Sequence, residues 1–268
     1  MANPSGGHSA DRQDMTFGGH LEVLRRMLFR VLGVALSIGV VIFCFKELTF
    51  DILLAPSHWD FMTYRWLESA MNAMGIDFHF QEYHVKMIAT ELSSQFMTHL
   101  STSFYLGLLF SSPYILYELF RFISPALYDN ERRYATKTAV TIYILFIVGV
   151  LITYFILFPI SFRFLGTYSV SEQVESNITI DSYFDLFVSL TLVMGIVFQL
   201  PVIAFFLGKM GVITAGLLQK YRKHAFILIM IVAAIITPPD IMTLIIVTLP
   251  LYLLFELSIK VLKWIGKR

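Results

Sequence analysis

Residues 225–260 read AFILIMIVAAII, then TPPD, then IMTLIIVTLPLYLLFELSIK. Asp240, Glu256 and Lys260 are the charged residues of this whole stretch. So apolar a segment belongs in lipid. Pro238 and Pro239 predict the end of one helix and the start of the next. The result is a membrane hairpin with Asp240 at its tip. Its first arm is short: twelve uninterrupted apolar residues lie between His224 and Thr237. They cover about 18 Å at 1.5 Å per residue, against about 30 Å of hydrocarbon. The hairpin is therefore expected to stop short of the far surface or to thin the bilayer. Asp240 fits the N-cap of the second arm, and a role in docking a partner helix is compatible with that.

The rest of the chain agrees. Of 268 residues, 57% are hydrophobic and 15% charged, with mean hydropathy +0.71. Soluble domains average about 25% charged residues. Apolar runs at 27–46, 96–120, 138–162 and 184–208 join 224–237 and 241–260 to make six expected spans. The expected fold is all-α: an integral membrane protein with six transmembrane helices in a concave bundle, the fifth and sixth short. Residues 1–14 are polar and expected to be a disordered tail, with no cleaved signal. Residues 15–268 form a single membrane domain. Within it, 47–95 reads as a folded extramembrane cap loop with a short helix.

Lysine and arginine set the orientation. Sixteen of the 20 fall in four groups of four: Arg12, Arg25, Arg26, Arg30; Arg121, Arg132, Arg133, Lys137; Lys209, Lys220, Arg222, Lys223; and Lys260, Lys263, Lys267, Arg268. The other loops hold Lys46, Arg65, Lys86 and Arg163. The positive-inside rule then puts both termini in the cytoplasm. Alternation of the groups also supports the number six.

Several polar residues stand out. Met15–Leu28 is amphipathic, with Phe17, Leu21, Leu24 and Leu28 on one face. It reads either as an interfacial segment before the first span or as a helix with a solvated face. The loop after the second span, FISPALYDNERR (122–133), is aromatic for its position. Its Glu131 suits either the first turn of the next helix or recognition of a cation. Gln199 is an amide at membrane depth beside the kinking Pro201, and needs a partner there. Glu256 is expected to pair with Lys260, four residues on, and Glu118 with Arg121.

Other chemistries are not encoded. The lone Cys44 excludes an internal disulfide and a thiolate metal site. His79 and His84, with Glu82 between, have no second ligand cluster. Neither a phosphate-cradling glycine loop nor a nucleophile–base–orienter set can be assembled, so no enzyme and no cofactor are expected. Basic tracts of a nucleic-acid binder are also missing. A small-molecule secondary transporter is the alternative, but it requires ionisable groups at the midplane, where this chain has a neutral glutamine. A structural scaffold for another membrane complex is the third reading.

Taken in order, the motifs resemble the TatC family, the multispanning subunit of the twin-arginine protein translocase. HLEVLR (20–25), SPYILYE (112–118), FISPALY through ERR (122–133), FQLPV (198–202) and TPPD (237–240) carry the resemblance, with Pro56 after Leu54-Ala55. It runs from about residue 15 to 260. It implies a receptor for signal peptides with paired arginines, in the bacterial cytoplasmic membrane. It also implies an oligomeric complex with single-span subunits of the TatA and TatB type, exporting folded proteins by the proton-motive force. Glu131, Phe122 and Pro125, with Glu22 and Arg25, are the implied signal-peptide site. An arginine fork pairs best with a carboxylate, through two charge-assisted bonds. Gln199, Thr237, Asp240 and Pro56 are the implied docking residues for partner helices. Two departures are present. The first motif has Val23 where the family has glutamate, and its acid, Glu22, stands one residue earlier, about 100° around the helix. The 57–86 region is longer than in the family.

Overall fold

The computed structural model describes residues 17–77, 79–80, 82–83, 85–123, 135–169, 171, 177–237 and 240–266. The described chain is dominated by helices: α1 (Phe17–Cys44), α2 (Lys46–Leu54), α3 (Met62–Ala73), α4 (Ser94–Phe110), α5 (Ser112–Ile123) and α6 (Ala135–Ile152). These are followed by α7 (Phe158–Thr167), α8 (Ile180–Val197), α9 (Leu200–Lys209), α10 (Ala215–Lys220), α11 (Arg222–Ile236) and α12 (Ile241–Ile265). Two short strands, β1 (Met87–Ile88) and β2 (Ile178–Thr179), pair in parallel with Met87 opposite Ile178. The expected tail, residues 1–14, lies outside the described residues.

Among the described residues, four helical stretches are long and apolar enough to cross a membrane: Leu21–Cys44, Val140–Thr167, Ile180–Lys209 and Ile241–Ile265. The other two expected spans are not single long helices. The 96–120 run is divided at Ser111 into α4 and α5, because Pro113 has no N–H and its ring crowds the preceding turn. α11 has 15 residues, in line with the short first arm. Its companion is not short: α12 runs 25 residues to Ile265 and passes through Pro250 unbroken, correcting the expectation of a short sixth helix. Lys260 and Lys263 extend it beyond the apolar run, since long basic side chains reach water from a helix end.

Proline also interrupts the other long elements. A π turn, Thr153–Leu157, joins α6 to α7 just before Pro159. Phe198 and Gln199 separate α8 from α9 just before Pro201. At the N-terminus the reverse holds. The amphipathic stretch does not form a separate interfacial segment; it continues into the apolar run as one helix, α1. α1 packs on α4 through small residues. A Cβ added to Gly107 would lie 2.4 Å from the Ala35 carbonyl oxygen and 2.8 Å from the Gly39 nitrogen, so the two backbones touch.

The core contains an aromatic cluster. Phe158 meets Tyr183 and Phe187 edge-on at 4.9 and 5.1 Å, and Phe162 meets Tyr183 at 4.9 Å, the geometry ring quadrupoles favour. Phenol groups tie the 47–95 region to this core. Tyr183 donates to the Leu53 carbonyl at 2.7 Å, and Tyr154 to that of Ile52 at 2.7 Å. That region holds two helices and a strand rather than one short helix. α3 ends at Gly75, whose φ of +80° only glycine adopts without strain.

Candidate functional site

The residues of the implied signal-peptide site divide into two groups. Pro125 and Glu131 lie outside the described residues. Glu22 and Arg25 lie on α1 and Phe122 on α5. Glu22 accepts from Arg26 at 2.5 Å across one helical turn, with both side chains exposed. The Arg25 guanidinium lies 6.0 Å from the ring of Phe29. One turn further along, Arg30 Nη1 donates to Glu118 Oε1 at 3.3 Å, while Arg121 stands 4.0 Å from the same oxygen. Phe122, half-buried, lies one residue before the end of α5.

Glu118 has the expected partner, Arg121, and a second, closer one that its spacing could not predict. Its side chain is 5% exposed, so its charge needs a close cation, and the nearest is Arg30 of α1 rather than the local Arg121. Glu118 and Arg30 are 88 positions apart, and no spacing rule links them. Their ion pair joins α1, two turns beyond Glu22, to α5.

The implied docking residues do not form one cluster. Gln199 donates through Nε2 to the Ile142 carbonyl at 3.1 Å, bonding α9's entry to α6, while its Oε1 is buried without a partner. Thr237 is buried, and its hydroxyl donates to the Ala233 carbonyl at 3.0 Å. Asp240 caps α12: it accepts from the Thr243 N–H at 2.7 Å and from the Thr243 hydroxyl. Pro56 is buried in a 3₁₀ turn, Ala55–Ser57. Glu256 accepts from Arg222 at 2.7 Å and from Tyr252 at 3.1 Å. The expected partner was Lys260. The real one joins the base of α11 to that of α12, because antiparallel packing brings Arg222 nearer.

Long apolar helices with charges held at their ends or paired between helices define a multi-helix membrane protein. A family model described as Sec-independent protein translocase protein (TatC) matches residues 19–250, and the chain belongs to that family. It is 34% identical over 262 residues to the Sec-independent protein translocase protein TatC of Blattabacterium sp. subsp. Periplaneta americana, covering 96% of this chain and 98% of that protein. It is 37% identical to TatCy of Bacillus subtilis over 175 residues, 65% of this chain and 69% of that one. A crystal structure described as the twin arginine translocase receptor TatC superposes with a TM-score of 0.72 at 29% identity, covering 93% of this chain and all of the other. A second, in DDM, gives 0.73. The chain is thus a protein-translocase component of the membrane and not an enzyme.

Proposed function

We propose that this chain is the signal-peptide receptor and core subunit of a twin-arginine translocase in a bacterial cytoplasmic membrane. It crosses the bilayer six times with both termini inside, and α4–α5 together and the short α11 supply the crossings beyond the four long ones. The Glu22 turn and the Glu131 loop form one cytoplasmic surface that takes up paired arginines, with Phe122 and Pro125 shaping it. Gln199, Thr237, Asp240 and Pro56 serve the docking of single-span TatA- and TatB-type subunits, and the proton-motive force drives export of folded cargo.

The observation that carries this reading is the Arg30–Glu118 pair at 3.3 Å. It ties α1, two helical turns beyond Glu22, to α5, whose last residues open the FISPALYDNERR stretch. A multidentate cationic ligand needs carboxylates held together in this way. A midplane transporter site has no comparable support: the deep polar group in α8–α9 is the neutral Gln199, bonded to a neighbouring backbone.

Photo-cross-linking tests the reading. A paired-arginine signal peptide is expected to cross-link to the wild-type chain in membranes, and a paired-lysine peptide much less. Glu131→Ala is expected to abolish the cross-link while the protein still inserts. Undiminished cross-linking in that variant rejects the site. Normal co-purification of the single-span subunits with a Gln199→Ala, Asp240→Ala double variant rejects the docking assignment.

A further inference from the structure

α3 has three faces. At 100° per residue, Thr63, Tyr64, Leu67 and Met71 share one face, Arg65, Glu68 and Asn72 a second, and Met62, Trp66, Ala70 and Ala73 a third, roughly 120° apart. The first face packs on the bundle, where Thr63 and Tyr64 are buried. The second is polar. The third is apolar yet exposed: Trp66 is 58% and Met62 49% exposed. An ordinary surface helix needs only the first two faces.

The level at which α3 is fastened shows what the third face meets. Thr63 donates to the Phe155 carbonyl, Tyr64 to the Pro159 carbonyl at 2.7 Å, and the Trp66 ring lies 6.5 Å from that of Phe155. Phe155 stands eight residues before Arg163, the first charge at that end of the Val140–Thr167 helix. Eight residues are about 12 Å, so α3 is held beside the acyl region and not above it. Leu151 and Ile156 of the same long helix are likewise apolar and exposed. Arg163 is kept from lipid by the rings of Phe80, Tyr83 and Tyr64, at 4.4, 4.6 and 5.1 Å from its guanidinium carbon. Burial raises the phenol pKa of both tyrosines, so the charge sits against neutral rings.

We infer that α3 is an interfacial helix. It lies in the outer leaflet at the headgroup–acyl boundary, with Met62, Trp66, Ala70 and Ala73 in lipid, Arg65 and Asn72 turned to water, and Glu68 accepting from the Phe80 N–H at 2.6 Å. Tryptophan favours this boundary, where its ring is in hydrocarbon and its N–H reaches polar groups. The inference rests on the proposed topology, in which the Thr167 end of its long helix is outside.

The test uses the full chain in vesicles of phosphatidylcholine and phosphatidylglycerol, with Trp59→Phe and Trp264→Phe leaving Trp66 as the reporter. Phosphatidylcholine brominated near the glycerol end of the acyl chain is expected to remove about half or more of the emission, as a depth of about 5–10 Å requires. Iodide is expected to leave it unchanged. A second variant, with all three tryptophans replaced by Phe and Asn72→Trp added, is expected to show the reverse. Quenching of Trp66 by iodide without loss to brominated lipid overturns the inference. Topology is read separately by labelling Leu92→Cys, on a Cys44→Ser background, with an impermeant maleimide. Labelling from the inner side overturns the topology alone; labelling from the outer side without lipid quenching overturns the lipid contact alone.

Discussion

The hydroxyl of Thr63 donates to the backbone carbonyl of Phe155, across 92 positions of sequence. In an α-helix the donor to that carbonyl would be residue 159, which is a proline and has no N–H. The 47–95 region is therefore fastened to the bundle at a point where the long α6–α7 helix is interrupted by its own sequence. Thr63→Val is expected to cost about 1–3 kcal/mol, the penalty for removing one partner of a buried hydrogen bond. Thr63→Ser should restore most of it. Adding Pro159→Ala supplies a helical N–H, so the double variant should lose less than Thr63→Val alone. Thermal unfolding in detergent, run as a double-mutant cycle, measures both.

The Arg30–Glu118 pair is asymmetric, with side chains 50% and 5% exposed. Removing the arginine leaves a buried carboxylate with only Arg121, at 4.0 Å, beside it. Removing the acid leaves an arginine that water can reach. Arg30→Met should therefore destabilise more than Glu118→Gln, by about 3 kcal/mol at most, and the double variant should recover much of the loss. Equal losses from the two single variants, in the same unfolding assay, would reject the asymmetry.

Gly107 holds α1 and α4 in backbone contact. Gly107→Ala places a Cβ 2.4 Å from the Ala35 oxygen, so the helices must separate. The expected cost is at least the 1–3 kcal/mol of ordinary overpacking. A Gly107→Ala chain with wild-type melting temperature and yield would contradict this packing.

Asp240 holds the first turn of α12 through Thr243. Asp240→Ala should cost about 1 kcal/mol, and Asp240→Asn much less, because asparagine caps nearly as well. If Asp240 serves only as a cap, the two variants should differ equally in stability and in binding of single-span subunits. A binding loss shared by both variants, with only Asp240→Ala less stable, would separate docking from capping. Co-purification alongside thermal unfolding makes the comparison.

Much of this protein was legible in its residues. The apolar runs, the four basic groups, the short α11 and the Asp240 cap follow from composition, periodicity and local backbone chemistry, which act within a few residues. Three other prolines, Pro113, Pro159 and Pro201, divided three of the apolar runs, because a missing N–H acts locally, whereas α12 absorbed Pro250. The motif order pointed to the family that the chain belongs to.

What the residues could not disclose is which distant groups meet. Glu118 gained Arg30 beside the expected Arg121, and Glu256 took Arg222 in place of Lys260, because buried or half-buried carboxylates take whatever cation the helix packing brings within reach. Gln199 found a backbone oxygen on α6 in the same way. The 57–86 stretch looked like a loop of mixed charge. Only docking of Thr63 and Tyr64 onto the proline-interrupted α6–α7 helix divided α3 into core, water and apolar faces. Sequence determined the spans and caps, since those depend on neighbours along the chain. Tertiary structure decided the ion pairs and the level of the cap, since those depend on neighbours in space.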